Sequence, residues 1–371
     1  MTMHIQSTMK KYILPILGLA ALVACSKTEP VYEESGEIRF APVTSLATKA
    51  KVMSAIDGIT YPDDEWFKVT AYWANEDAGS DFASANEIVT YFSNKTFKKG
   101  ASYWAGEPAA YWPKSGSLRF ACYSPSDVAK VSHVLATDTY TITDYEQSND
   151  TKKTVDLMVA PTPNSYDAKT GAENVPVTFE HALSWISFQV VSDATAAGYF
   201  TVKKIVVNDV NTKGSLTAIM ADPKSKTWEL STSTEEINPN VKAYDVYNGE
   251  GVVATTTSGV DSEGKPAYIE DKTGGTLVIP QPTTSVTITF DQKAEDNAVL
   301  EDQVITLPLT VIKEVMNDDE AVAVEADWEP GKHYIYTIKF AWDDDDKILI
   351  NPSVKDWVDV PANVDVDKVE L

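Results

Sequence analysis

Apolar residues recur at every second position in many short runs of this chain, and this alternation constrains the fold more than any other feature. Threonine, serine, lysine and glutamine fill the positions between them. Because successive side chains of a β-strand point to opposite faces, the pattern predicts half-buried strands, and no long segment has helical spacing. We therefore expect an all-β fold of antiparallel sandwiches. The clearest apolar faces are Phe67, Val69, Ala71 and Trp73; Ile186, Phe188 and Val190; Val286, Ile288 and Phe290; and Tyr334, Tyr336, Ile338 and Phe340.

The length of 371 residues favours two domains, each large enough to bury its own core. Pro, Asn, Gly and Asp cluster near residues 161–173, between two apolar segments. Such clusters are typical of loops. We predict an N-terminal β-sandwich domain over residues 51–168 and a C-terminal β-sandwich domain over residues 169–357.

The N-terminus has the pattern of an export signal. Lys10 and Lys11 precede an apolar run at residues 12–23, which is shorter than the roughly 20 residues that cross a bilayer. Residues 22–25, Leu-Val-Ala-Cys, resemble the lipobox of bacterial lipoproteins. The resemblance implies a signal peptide at residues 1–24, cleavage between Ala24 and Cys25, and a lipid on Cys25 that fixes the chain to the outer membrane. A plain secretory signal that ends at a chance cysteine is the alternative.

The net charge disfavours two classes of partner, and the cysteine content disfavours an internal disulfide. The formal net charge of -24 disfavours nucleic acid and anionic membrane surfaces. The only other cysteine, Cys122, shares an alternating face with Leu118 and Phe120, so we expect a buried small hydrophobe and no internal disulfide.

Residues with recognisable catalytic spacing are missing from the sequence. We find no phosphate-binding glycine loop, nucleophile elbow, zinc-protease motif or cysteine pair at metal spacing, so we predict no enzyme activity, no cofactor and no metal. We expect His133, His181 and His333 to be structural. The acidic run Asp343–Asp346 is either a solvated hairpin loop or a cation site without EF-hand spacing. A glycosidase-like carboxylate pair stays open, because carboxylates are abundant.

Several segments, in this order behind the lipobox, resemble the fimbrillin (Mfa-like, type V pilin) family of bacterial surface lipoproteins. The resemblance covers most of the mature chain and implies two transthyretin-like, Greek-key sandwich domains. The segments are Ile38–Phe40, Ala47–Ala50, Tyr111–Pro113, Leu118–Pro125, Val155–Ala160, Val177–Leu183, Leu277–Gln281 and Trp328–Tyr336.

The resemblance also implies assembly by strand exchange. A first strand within residues 25–50 completes the N-terminal sandwich until a trypsin-like protease cuts it, and a strand of another subunit then fills the groove. Ile38 and Phe40 are the inward residues of that removable strand. The cut is expected between Lys49 and Ala50, with Lys51 as a second candidate, although both lysines could be ordinary charges of a flexible segment.

The C-terminal tail, residues 358–371, is the candidate donor strand. Val364, Val366, Val369 and Leu371 would fill the groove, although the alternation changes phase between Val366 and Val369. A last edge strand on its own domain or a frayed tail is the alternative.

The predicted function is a stalk or anchor pilin that supports adhesion, with other pilin subunits, a trypsin-like protease and the outer membrane as partners. The alternative is a surface lipoprotein that binds carbohydrate or host protein and never polymerises. Aromatic residues that crowd the first predicted domain would either fill its core or form a sugar-stacking surface. They are Tyr72, Trp73, Tyr91, Phe92, Tyr103, Trp104, Tyr111 and Trp112.

Overall fold

The computed structural model describes residues 36–44, 65–75, 82, 87–101, 103–162, 165–167, 174–235, 237–259, 267–269, 275–293, 298–317, 320–341 and 348–356. Strands dominate these ranges, which contain 3₁₀ turns and no α-helix, so the predicted all-β class is confirmed. Within the same ranges, no helix is long and apolar enough to span a bilayer.

The strands are numbered in chain order. They are β1 (Arg39–Thr44), β2 (Phe67–Ala74), β3 (Ile88–Lys99), β4 (Trp104–Gly106), β5 (Ser117–Ser124), β6 (Val131–Val134), β7 (Thr139–Glu146), β8 (Met158–Ala160), β9 (Tyr166–Asp167), β10 (Val175–His181), β11 (Ser184–Ser192), β12 (Phe200–Asn211), β13 (Lys213–Ile219), β14 (Ser225–Leu230), β15 (Val241–Val253), β16 (Thr276–Val278), β17 (Ser285–Lys293), β18 (Val299–Pro308), β19 (Ile312–Asn317), β20 (Glu320–Glu325), β21 (Lys332–Phe340) and β22 (Ile348–Asp356).

Seven strands of the N-terminal part close into a small barrel. Their order is β2-β3-β4-β1-β10-β8-β5, and β5 pairs back onto β2, while β9 adds to β5 outside the ring. The alternating face of Phe67, Val69, Ala71 and Trp73 is buried inside, as predicted. Closure removes the free edges that an open sheet would present. A sandwich is therefore not confirmed for this part of the chain.

Two four-stranded sheets of the C-terminal part pack face to face. Their orders are β16-β11-β21-β22 and β15-β12-β17-β18, and side chains of both form one buried cluster. The ring of Phe340 lies 4.6 Å from that of Phe200 and 5.4 Å from that of Phe290. The apolar faces predicted on β11, β17 and β21 all point into this cluster. Two sheets that share one buried core are the layout expected of a β-sandwich, but the predicted tandem of two sandwich domains is not confirmed.

Two pairs of the described strands are parallel, so the expectation of antiparallel sheets is wrong there. β1 runs parallel to β10, and β11 runs parallel to β21. Alternation reports which face of a strand is buried, and it carries no information about the direction of its neighbour.

A fourth sheet, β14-β13-β7-β6, covers part of the outer face of the barrel. It joins strands from both sides of the predicted boundary, because β7 pairs with β13. The hydroxyl of Tyr140 on β7 fastens it to the barrel: it accepts from the backbone N of Cys122 at 2.8 Å and donates to the carbonyl of Ala160 at 2.7 Å. The division into residues 51–168 and 169–357 stays a prediction, while strand pairing and a shared core join the two parts.

Gly116 and Gly198 provide a matched test of barrel packing. Both have positive φ, +81° and +83°, but a Cβ on Gly116 would lie 2.1 Å from the carbonyl oxygen of Ala74, whereas nothing lies within 4 Å of one on Gly198. Gly198→Ala should cost only the left-handed strain of about 1–2 kcal/mol. We expect Gly116→Ala to lower the free energy of unfolding by clearly more, measured by urea denaturation. Equal losses would show that the backbone contact is unimportant.

Candidate functional site

Strand β1 lies between β4 and β10 in the wall of the barrel. Phe40 pairs with Trp104 of β4 on one side and with Val175 of β10 on the other. Just before β1, the backbone N of Ile38 donates to the carbonyl of Ala110 at 2.7 Å. The start of the strand is therefore held from both sides.

Ile38 and Phe40 point into the barrel, and both are fully buried. The ring of Phe40 makes edge-to-face contacts with Phe97 at 4.7 Å, Phe120 at 5.1 Å and Phe67 at 5.7 Å. Such pairs contribute about 0.5–1.5 kcal/mol each beyond the burial of apolar area. Phe40 is thus the main anchor of β1 in the barrel.

Among the described residues, the second half of β1 pairs on one side only. There, pairing with β4 involves Arg39 and Phe40, whereas pairing with β10 continues to Thr44. The pairing of β1 with β10, here called the β1 seam, includes Pro42 and Pro176, neither of which has an amide hydrogen to donate. Parallel ladders are also slightly less stable per residue than antiparallel ones. This seam is a weak point of the closed sheet.

Arg39 lies on the outer face of β1. Its guanidinium is 4.0 Å above the ring of Tyr103, and its Nε is 3.2 Å from a carboxylate oxygen of Glu37. Because the Arg39 side chain is 41% exposed, solvent screens this pair and its contribution is small.

The other wall of the seam, β10, is fixed from outside by the β13–β14 hairpin. Lys224 and Lys226 place Nζ atoms 2.5 and 2.9 Å from the two carboxylate oxygens of Glu180 on β10. Burial would raise the pKa of Glu180, but the two ammonium groups outweigh it and the pKa is lowered. Trp228 Nε1 also donates to the carbonyl of Ala182 at 2.8 Å. β10 is therefore firmly held, whereas its neighbour β1 is held weakly.

Most other predicted site residues lie outside the described residues. These are the signal and lipidation residues Ala24 and Cys25, the processing residues Lys49, Ala50 and Lys51, the donor residues Val364, Val366, Val369 and Leu371, and the acidic run Asp343–Asp346. The strands on either side of the acidic run, β21 and β22, form an antiparallel pair.

The three predicted structural histidines each have a side-chain partner. His181 Nδ1 is 2.7 Å from an oxygen of Asp156, and His133 Nε2 is 2.9 Å from an oxygen of Asp138. His333 Nε2 lies 2.6 Å from the hydroxyl of Ser187. Among the described residues, no group of three or more His, Cys, Asp or Glu side chains is arranged to hold a metal.

Cys122 and most of the crowded aromatic residues belong to the core. Cys122 is a free, buried thiol, as predicted, and burial raises its pKa. Trp73, Tyr91, Trp104 and Trp112 are buried in the barrel, Tyr111 is exposed, and Tyr72 is half-buried on the outer face.

Sequence reasoning missed the partner of β1. The alternation of Val175, Val177 and Phe179 marks β10 as a half-buried strand, but this segment follows the predicted domain boundary. The alternation could have identified the strand, and only the three-dimensional structure shows that it pairs with β1.

Comparison with known proteins gives one family. A model of the fimbrillin-like family matches residues 62–357. Among curated proteins, none matches the sequence significantly.

Similar solved structures include a proposed cell adhesion protein of Bacteroides uniformis, with 15% identity, 87% coverage of this chain and 98% of that chain, and a TM-score of 0.45. One from Bacteroides ovatus has 13% identity, coverage of 88% and 100%, and a TM-score of 0.46. The tip fimbrial protein Mfa3 of Porphyromonas gingivalis, truncated at its C-terminus, has 11% identity, coverage of 87% and 100%, and a TM-score of 0.28.

Phe40→Ala tests the anchor of β1. Removing a buried phenylalanine ring typically costs about 3–5 kcal/mol, so we expect the strand to open more often and the amides of β10 to exchange faster. Hydrogen exchange read by mass spectrometry on a peptide that covers Val175–His181 measures this. The control is Ala41→Ser, because Ala41 is exposed on the same strand. Unchanged exchange in Phe40→Ala would show that β1 is held elsewhere.

Glu180→Gln tests the contribution of the ion pairs that hold β10. Because the folded-state pKa of Glu180 is lowered, its ionised form stabilises the fold above the ordinary glutamate pKa, and this contribution is lost as the pH falls through the lowered value. The variant should be less stable than the natural protein near neutral pH, and the difference should shrink on acidification. Urea midpoints across pH measure it, with the exposed Glu229→Gln of β14 as control. A pH-independent difference would contradict the ion-pair explanation.

Proposed function

The chain belongs to the fimbrillin-like family, since the family model covers residues 62–357, and we propose that it is a structural subunit of a surface fimbria assembled by strand exchange. The subunit is a stalk or an anchor that supports adhesion, and it has no enzymatic role. Its partners are other pilin subunits of the same or a related kind.

The seating of β1 supports this proposal most directly. Removing β1 would leave a gap between β4 and β10 whose floor includes the rings of Phe67, Phe97 and Phe120, which now contact Phe40. An extended strand that brings an apolar residue to the Phe40 position would restore both the backbone pairing and the core. The gap is thus specific for a strand and unsuited to a globular ligand.

The C-terminal tail is the donor in this scheme. It follows β22, which is an edge strand of its sheet. Val364, Val366, Val369 and Leu371 would supply the inward side chains, and the acidic residues between them would stay in water.

Export and release complete the proposal. Signal cleavage between Ala24 and Cys25 and lipidation of Cys25 would place the precursor at the outer membrane, on the cell surface. A trypsin-like protease that cuts between Lys49 and Ala50, or after Lys51, would then separate the lipid and β1 from the folded body. An anchor subunit would escape this cut and keep its lipid.

Limited trypsin treatment tests the strand-exchange scheme. We expect a cut at Lys49 or Lys51 and, after addition of a peptide of residues 358–371, displacement of the β1 fragment and formation of a stable complex. N-terminal sequencing, native mass spectrometry and size-exclusion chromatography follow these steps. At high concentration, the trimmed protein should form oligomers without added peptide.

Two controls accompany the test. The double variant Lys49→Gln with Lys51→Gln should stay uncut and monomeric, and a peptide that carries Val364→Asp and Val366→Asp should not displace β1. A trimmed protein that stays monomeric and ignores the natural peptide would refute strand exchange.

A further inference from the structure

A cleft of about 310 Å³ lies on the outer face of the barrel, away from the β1 seam. Its walls come from β2, β3 and β5 on the barrel side and from β6 and β7 of the covering sheet. The polar lining includes Thr90, Ser93, Asn94 and Ser132 near the rim and Tyr72 and Tyr123 deeper in the cleft. The volume is at the lower end of the range for small-molecule sites, about 300–1,000 Å³.

A hydrogen-bonded relay of Asp138, His133 and Tyr72 fixes the Tyr72 hydroxyl at the cleft. His133 Nε2 lies 2.9 Å from Asp138 Oδ1, and His133 Nδ1 lies 3.0 Å from the hydroxyl of Tyr72. Burial would raise the pKa of Asp138, but hydrogen bonds from His133 and from Thr162, whose backbone N is 2.8 Å away, outweigh it and the pKa is lowered. The hydroxyl of Tyr72 also donates to the backbone carbonyl of His133 at 3.2 Å, so His133 holds this hydroxyl through two of its atoms.

These contacts leave the hydroxyl of Tyr72, which lines the cleft, with acceptor capacity. A phenol oxygen that donates its one proton to the backbone carbonyl of His133 keeps a lone pair for a ligand hydroxyl. The side chains of His133 and Asp138 are only 4% and 13% exposed, so the relay is fixed by the protein and does not have to reorganise when a ligand arrives.

The strands on either side of β2 in the barrel wall, β3 and β5, supply donors. Tyr123 donates its hydroxyl to Asn94 Oδ1 at 3.3 Å, which leaves the two hydrogens of the Asn94 amide nitrogen to offer. Asn94 has φ +50°, and its backbone N donates to Thr70 Oγ1 at 3.2 Å, so the turn that presents the amide is locally fixed. An acceptor on β2 and a donor on β3 therefore lie on neighbouring strands of the cleft wall.

Among the described residues that line the cleft, none is a lysine, arginine, aspartate or glutamate. An anion or a cation would lose its hydration there without a compensating charge, whereas a neutral ring with several hydroxyls could pair with these groups and lay its apolar face on a tyrosine ring. We propose that the cleft binds a saccharide of one or two rings. This site does not depend on strand exchange, because none of its walls belongs to β1, β4 or β10.

Titration of the uncut protein with methyl glycosides of glucose, galactose, mannose, fucose and N-acetylglucosamine, and with lactose and cellobiose, tests the proposal. Isothermal calorimetry and saturation-transfer NMR should show saturable binding of at least one of them. Tyr72→Phe and Asn94→Ala should each weaken that binding by about tenfold, the effect of one lost hydrogen bond. Thr90→Trp, a change of an exposed residue at the mouth, should abolish it.

Tyr111→Phe is the control, because it removes an exposed tyrosine hydroxyl outside the cleft and should leave binding unchanged. Thermal unfolding of every variant separates lost binding from lost folding, and Thr90→Trp leaves the buried relay intact. If none of the sugars binds the natural protein, or if binding persists in Thr90→Trp, the proposal is wrong, and the relay serves only to hold β6 on the barrel.

Discussion

The fold of the N-terminal part depends on β1 closing the barrel. Without this strand, backbone groups on the facing edges of β4 and β10 would be unpaired, and the apolar interior between them would be exposed. Unpaired backbone groups and exposed apolar surface each cost free energy. The strand is nevertheless held unevenly, because the ring of Phe40 is anchored by three aromatic contacts while residues beyond it pair only with β10 among the described residues. The β1 position must always be filled, but the strand that fills it makes few contacts beyond Phe40. Such a position is suited to the replacement of one strand by another.

Replacement also requires that the rest of the groove keep its shape. β10 supplies this rigidity, because Glu180 is held by two lysines of the β13–β14 hairpin and Trp228 bonds to the carbonyl that follows β10. The hairpin in turn pairs with β7, and Tyr140 of β7 bonds to backbone groups of the barrel. The part of the chain after β10 therefore braces the wall against which a new strand would form.

Alternation predicted which residues are buried, and it failed on which strands are neighbours. The inward faces of β2, β11, β17 and β21 follow directly from it, because a half-buried strand must alternate. The closed barrel, the parallel pairing of β1 with β10 and the covering sheet do not follow, since each depends on contacts between segments far apart in sequence. The same holds for the cleft: Tyr72 and His133 are separated by 61 positions, and each alone resembles an ordinary core residue.

Strand β2 links the two proposed activities, because its two faces serve different sites. Phe67 on the inner face packs against Phe40, whereas Tyr72 on the outer face lines the cleft. A donor strand that restores the contact with Phe67 leaves β2 in its register with β3 and β5, and so leaves Tyr72 facing His133. An assembled fimbria would then display one intact cleft on every subunit. Weak binding of a sugar at each cleft would sum to firm attachment along the filament, because linked sites act at high effective concentration.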